Sequence, residues 1–251
     1  MANYELISFA SPDELARTAA AAWLDEIEVA SRLGKKHCVA LSGGRITQKF
    51  FAAVVKQNQT RKISFARVHF FWADERCVPP TDDESNYKMA DELLFAPLKI
   101  SGAQIHRLRG ELPSAAAVKI AEAEIRNFVP AGEANLPVLD LVLLGMGEDG
   151  HVASLFPNAG SETLNCPAPF LVVENSPKPP PRRISLSYAA IAAAGQVWVL
   201  VSGTVKESAL KESLKTAGTT PLARVLRLRP ATKIFSDLVG DRGGLEVKSI
   251  D

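Results

Sequence analysis

The run Val138-Leu139-Asp140-Leu141-Val142-Leu143-Leu144 leads straight into Gly145-Met146-Gly147-Glu148-Asp149-Gly150-His151. The first seven residues are apolar except for Asp140. They are rich in branched side chains and too few for a typical helix, which predicts a strand over Val138–Leu144 buried on both faces. Strands buried on both faces belong to parallel sheets covered by helices. Gly145, Gly147 and Gly150 then permit an irregular, tightly packed loop, and His151 stands where that loop leaves the strand.

The same grammar repeats on either side. Short apolar runs predict strands at Glu5–Phe9, Cys38–Leu41, Val68–Trp72, Phe170–Glu174, Ile184–Ser187, Val197–Val201 and Thr232–Phe235, with a weaker one at Ile105–Leu108. Helical patterns alternate with them. Ser11, Pro12 and Glu14 form a start signal for a helix running to Leu33, before Gly34. Further helices are expected at Arg45–Lys56, near Asn86–Leu94, at Ser114–Phe128 and at Val205–Lys215. Pro177 and Pro179-Pro180-Pro181 make a stiff extended loop between two strands. Strand-helix alternation of this kind predicts an α/β fold, a doubly wound and mostly parallel sheet in a single domain over 1–251, ending in a polar tail from about 240.

Bulk properties agree and exclude several classes. The chain has 251 residues, 47% hydrophobic and 23% charged, enough to bury a large core. The formal net charge is +1 with no basic run, so a nucleic-acid partner is not expected. Cys38, Cys77 and Cys166 are far apart and odd in number, which suggests neither a disulfide framework nor a zinc site. The N-terminal segment has early acids and no apolar core, so no signal peptide is expected. The longest apolar stretch, about Ala189–Val201, is interrupted by Gly195 and Gln196 and is too short for a membrane span. A cytoplasmic protein without membrane partners is the expectation.

In open parallel sheets ligands bind beyond the carboxyl ends of the strands. Four polar clusters directly follow predicted strands: Ser42-Gly43-Gly44, Asp74-Glu75-Arg76, the Gly145–His151 loop, and Ser202-Gly203 with Lys206. Ser42-Gly43-Gly44 before a helix fits an anion-binding loop and equally fits a tight strand-to-helix turn. Asp74-Glu75-Arg76 offers a guanidinium for phosphate, or a surface ion-pair cluster. His151, one of four histidines, has Asp149 two residues before it. A carboxylate-oriented imidazole is a natural general base near neutral pH. His69 reads as a core residue, and His37 and His106 lie near strand starts, away from this edge. No two histidines have metal-ligand spacing and no GxSxG elbow occurs, so neither a zinc hydrolase nor a serine hydrolase is indicated.

Several segments together resemble the 6-phosphogluconolactonase family, within the wider group that includes glucosamine-6-phosphate deaminases. They are Leu41–Gly44, Trp72–Pro79, Glu84–Tyr87, Leu139–Pro157, Ser176–Leu186, and Gly203 with Lys206, in family order. The resemblance implies a Rossmann-like fold, no cofactor and no metal. It also implies hydrolysis of a phosphorylated sugar lactone by water that His151 deprotonates. By position, Arg76, Arg183 and Lys206 match basic residues around the substrate phosphate, and Ser42, Gly43 and Gly44 the loop beside it. Asp74 and Asn86 match polar residues of the same pocket, and Asp149 matches the acid before the histidine. Arg45 departs from the pattern, because many relatives carry a small hydroxyl residue after the glycines; its role stays open.

Two other readings compete. A glucosamine-6-phosphate deaminase would use Asp74 to abstract a proton and His151 to assist ring opening. Such enzymes read GHIAFNEP where this chain reads GHVASLFP, and usually carry tyrosine in place of Arg76. A non-catalytic phosphosugar-binding module would keep the basic residues but would not need His151 and Asp149.

Overall fold

A computed structural model describes residues 4–229 and 231–238, so the tail expected from about 240 lies outside the described residues. Six strands form one parallel sheet: β1 (Tyr4–Ser8), β2 (His37–Leu41), β3 (Val68–Trp72), β5 (Leu141–Gly145), β8 (Gln196–Val201) and β9 (Thr232–Ser236). Their order is β1-β9-β8-β5-β2-β3. The sequence of strands reverses direction across the sheet between β2 and β5, which places a crevice at their carboxyl ends. Those ends carry Ser42-Gly43-Gly44 and the Gly145–His151 loop.

The apolar runs become central strands because every residue of β2 is buried, as are Leu141–Leu144 in β5. Helix α1 (Pro12–Arg32) starts as expected: the Ser11 side chain accepts from Glu14 N at 3.2 Å and Pro12 occupies the first turn. Its buried face, Leu15, Ala19, Trp23 and Ile27, repeats every four residues and docks on the sheet core. Trp23 packs against Phe50 of α2 (Arg45–Arg61) and Phe70 of β3, with centroid distances of 5.5 and 6.4 Å. Helix α2 runs one turn beyond the expected Lys56 and ends at Lys62, whose φ of 51° breaks it.

Three expectations need correction. Asp74-Glu75-Arg76 is a strand, β4, in a second, antiparallel sheet ordered β4-β7-β6, with β7 spanning Arg183–Leu186 and β6 Phe170–Val173. The chain passes between the sheets at Ala73, whose N–H still serves Leu41 at 2.8 Å while its carbonyl accepts from Leu186 N at 2.7 Å. Ile105–Leu108 is not a strand: only Ile105 bridges to Phe70, after a 3₁₀ turn at Gly102–Gln104. The helix expected near Asn86–Leu94 is composite: α3 (Asn86–Ala90) continues through a π turn, Asp91–Phe95, into α4 (Ala96–Leu98).

Helix α5 (Ser114–Phe128) has its expected bounds. The short α6 (Ser161–Leu164) and α7 (Tyr188–Ala193) follow. After β8 a 3₁₀ turn, Thr204–Lys206, precedes α8 (Glu207–Ser213), and α9 is Pro221–Leu228. Among the described residues no helix is long and apolar enough to cross a membrane.

At the amino-terminal ends of the strands, buried His37 accepts from Trp23 Nε1 through Nε2 at 3.1 Å. Protonating Nε2 would set two N–H groups face to face. Burial lowers the His37 pKa, partly opposed by Asp140, and burial with the His106 and Lys36 charges lowers that of His69. The folded chain therefore holds both rings neutral where the unfolded chain, near pH 6.5, takes up protons. Their contribution is complete above about pH 7 and is lost as pH falls through the lowered folded values. In urea unfolding at pH 7.5 and 5.5, His37→Gln, whose amide oxygen still accepts from Trp23, should lose less stability than wild type over that interval. Equal losses would remove His37 from the account.

Candidate active site

The loop after β5 is shaped by its own hydrogen bonds. Gly147 N–H donates to His151 O at 2.8 Å and Gly150 N–H to Gly147 O at 3.1 Å. Gly150 has φ 78°, a conformation that favours glycine. The turn brings Asp149 back onto His151: Asp149 Oδ1 accepts from the His151 backbone N–H at 3.3 Å and makes a short contact with Nδ1 of the ring. An ionised carboxylate at Nδ1 places the proton there and leaves the lone pair on Nε2. Burial raises the Asp149 pKa, but the hydrogen bonds and charge of His151 outweigh it and bring it to about 2. Phe156 packs on the imidazole at 4.7 Å, fixing the ring from another side.

Gly147 lies so close to this ring that a Cβ there would overlap His151 Cε1 and Nδ1. Gly147→Ala must therefore displace the imidazole. A displacement of about 1 Å costs roughly 100-fold in rate; we expect that loss in kcat for the variant, with a thermal midpoint near wild type. Unchanged kcat would mean that the ring tolerates the shift.

His151 faces a cleft of about 310 Å³ formed by all four strand-end clusters. On one wall, Ser42, Gly43 and Gly44 lead from β2 into α2. Gly44 has φ 107° and no side chain caps the first turn of α2, so its N–H groups remain available to an anion. Gly43 abuts Asn86 so closely that a Cβ would overlap Asn86 Oδ1. Asn86 Nδ2 in turn donates to Asp74 O at 2.9 Å. The Ser42 hydroxyl is buried and has no hydrogen-bond partner among the described residues.

On the opposite wall β4 and β7 pair Arg76 directly with Arg183. Like charges facing each other across a ladder are unfavourable, and an anion between them would relieve the repulsion. Arg183 gives Nε to Pro180 O at 3.1 Å and Nη2 to Lys178 O and Pro179 O, bracing the proline loop. Burial lowers its pKa, with Asp74 opposing. Arg76 Nη1 donates to Glu84 O. Asp74 is buried and accepts from Ser154 Oγ at 2.6 Å.

Lys206 closes a third side. It is half-buried, its backbone N–H donates to Gly203 O at 2.9 Å, and among the described residues no group hydrogen-bonds or ion-pairs with its ammonium. Burial, then the charges of Arg45 and Lys178, lower its pKa, while Glu148 and Asp237 oppose. The structure thus gathers Ser42, Gly43, Gly44, Asp74, Arg76, Asn86, His151, Arg183 and Lys206 in one cleft, with Asp149 behind the imidazole.

Sequence reasoning passed over three residues. Arg45, left open, lines the cleft, as does Lys178, a proline-loop residue whose neighbours conceal it. Glu75 is the third: its buried carboxylate accepts from the N–H groups of Arg76, Asn86 and Tyr87 at 2.8 Å each and from Ser85 Oγ at 3.0 Å. It ties β4 to the start of α3 and so positions Arg76 and Asn86. Its only sequence signal was a strand-end acid. Among the described residues no cluster of three His, Cys, Asp or Glu side chains is arranged to hold a metal.

Comparison with known proteins gives four findings. Residues 10–234 match the family described as glucosamine-6-phosphate isomerases/6-phosphogluconolactonase. A 6-phosphogluconolactonase of Haemophilus influenzae is 34% identical over 218 residues, which is 84% of this chain and 89% of that protein. The solved 6-phosphogluconolactonase of Trypanosoma brucei superposes with a TM-score of 0.82 at 28% identity, covering 95% of this chain and 98% of the other. A monomeric glucosamine-6-phosphate deaminase, 17% identical with a TM-score of 0.77 over 93% of this chain and 98% of its own, shares the fold.

Proposed function

This chain belongs to the glucosamine-6-phosphate isomerase/6-phosphogluconolactonase family, and we propose that it hydrolyses 6-phosphoglucono-1,5-lactone to 6-phosphogluconate, a step of the oxidative pentose phosphate pathway. The observation that carries this reading is the placement of the Asp149–His151 pair at the edge of a cation-lined cleft. In this reading the protein is cytoplasmic and its partner is a small phosphorylated lactone, not a nucleic acid or a membrane; it needs no cofactor or metal.

Arg76, Arg183 and Lys206 hold the 6-phosphate with the uncapped first turn of α2 beside it. This fixes the lactone against His151. Nε2 takes a proton from water, and the resulting hydroxide attacks C1. Charge moves to the carbonyl oxygen, where guanidinium, Asn86 or loop N–H donors stabilise it. Collapse breaks the bond from C1 to the ring oxygen, and the imidazolium returns its proton to that oxygen. The product carboxylic acid ionises, so net acid is released.

The deaminase reading would make Asp74 a base, but Asp74 Oδ2 is already engaged by Ser154. The test generates the lactone in situ and follows acid release near neutral pH above the spontaneous rate. No enzyme-dependent rate, with ammonia released from glucosamine 6-phosphate, would favour the deaminase. Binding of 6-phosphogluconate without turnover of either substrate would favour a binding module.

Arg45 supplies a further phosphate contact in this reading. It begins α2, where the helix dipole disfavours a cation, and it repels Lys206. A bound phosphate relieves both penalties. Arg45→Ser should raise KM for the lactone about three- to tenfold, on the order of 1 kcal/mol, with kcat unchanged. An unchanged KM would leave Arg45 as a solvent-facing side chain.

A further inference from the structure

A second hollow, of about 430 Å³, shares one side chain with the catalytic loop: Phe156 lines it and also packs against His151. Tyr188, Leu164, segment 216–221, Arg224 and Arg227 form its other walls. Its volume is in the range of small-molecule sites. Two observations point to an anion.

The first is cationic charge: the Arg224 guanidinium lies over the Tyr188 ring at 5.1 Å, and among the described residues no carboxylate pairs with it or with Arg227. Arg224 Nη2 donates to Leu164 O at 2.8 Å and Arg227 Nη1 to Gly218 O at 2.5 Å. Both acceptors are neutral carbonyls, and among the described residues no Asp or Glu lines the hollow. Arg224 Nε is buried and among the described residues has no hydrogen-bond partner, a donor left unsatisfied at a cost. The second is Tyr188. It is 3% exposed, and among the described residues its hydroxyl has no hydrogen-bond partner. Burial pushes its pKa to about 12, with the charges of Arg224 and Arg227 pulling the other way. Two guanidinium groups and a phenol thus converge over an apolar floor of Phe156 and Leu164.

This wall is also mechanically tied to the catalytic loop. Gly150 O accepts from Leu222 N at 3.1 Å, and a Cβ added at Gly150 would overlap Thr220. We propose that the hollow is a second binding site for a small organic anion with a flat apolar body, of the nucleoside monophosphate class, and that its occupant is felt at His151 through Phe156 and Gly150. The guanidinium groups take the anion through paired hydrogen bonds, and the flat body covers the apolar floor.

The probe is adenosine 5′-monophosphate, titrated calorimetrically into the protein with 6-phosphogluconate added to fill the catalytic cleft. Inorganic phosphate is the ring-free control. The His151 ring-proton resonance reports the coupling and does not depend on turnover. We expect one equivalent of the nucleotide to bind, more tightly than phosphate, and to shift the His151 resonance. Arg227→Gln, at an exposed position tolerant of change, should weaken binding about tenfold, which corresponds to about 1.4 kcal/mol. Tyr188→Phe should weaken it several-fold. No binding, displacement by 6-phosphogluconate, or equal affinity in Arg227→Gln would overturn the site. Phosphate binding as tightly as the nucleotide would overturn the flat-bodied ligand, and an unmoved His151 resonance would overturn the coupling. Failure of 6-phosphogluconate itself to bind would count against the lactonase reading alone.

Discussion

His151→Ala lowers kcat for the lactone by about 10²–10⁴-fold, the range that a positioned general base supplies, while 6-phosphogluconate still binds with near wild-type affinity. The split follows from the layout of the cleft. In the proposed mechanism the imidazole offers Nε2 to water, whereas the cations assigned to the phosphate stand on other segments: Arg76 on β4, Arg183 on β7 and Lys206 after β8. Removing the ring therefore takes away proton transfer and leaves the anchor. Residual turnover comes from phosphate anchoring and from donors facing the oxyanion. Calorimetry with 6-phosphogluconate and initial rates with in situ lactone separate the two quantities. A rate within about threefold of wild type would remove His151 from the chemistry, and a parallel collapse of binding would mean that the ring serves the anchor instead.

Glu75→Gln should cost about 2–4 kcal/mol of stability, through donors left facing an amide N–H₂ in a buried place. Glu75 is 3% exposed, and both of its oxygens accept two hydrogen bonds. Burial pushes its carboxyl pKa up, while the backbone donors of Asn86, Tyr87 and Arg76 pull the other way. Glutamine keeps one acceptor oxygen and turns the other toward N–H donors it cannot accept from. For a chain of this size the loss corresponds to roughly 5–15 °C in thermal midpoint. Urea unfolding measures it directly; a change under about 0.5 kcal/mol would show that the amide and its neighbours re-pair without strain. KM should also rise, since Glu75 sets the places of Arg76 and Asn86.

The strands that carry the cleft were legible because burial on both faces leaves a local mark. Val138–Leu144 is apolar but for Asp140 and Val68–Trp72 but for His69, and glycines follow the first run where the chain must turn sharply. His151 was legible for the same reason, as a titratable residue at the end of such a strand with an acid two positions away. Strand β4 left no mark. Three polar residues carry no alternation, and their pairing with Arg183–Ser185 depends on a segment far along the chain. Glu75 consequently looked like half of a surface ion pair. Ile105–Leu108 erred the other way: its apolar residues pack against the core, but only Ile105 reaches a strand partner.

The sequence by itself determined the α/β class, the central parallel strands and the edge of the sheet where the polar clusters and His151 gather. These depend on patterns within a few residues: apolar runs, capping side chains and glycines at turns. Only the tertiary structure decided that Arg76 faces Arg183, that Lys206 stands half-buried beside Arg45 and Lys178, that Glu75 satisfies four donors and that Phe156 joins the imidazole to a second hollow. Most of those relations join segments distant in the chain, whereas the Glu75 donors lie within 12 residues of it and meet it only once β4 is paired and buried. They are set by sheet register and helix packing, which no local pattern encodes.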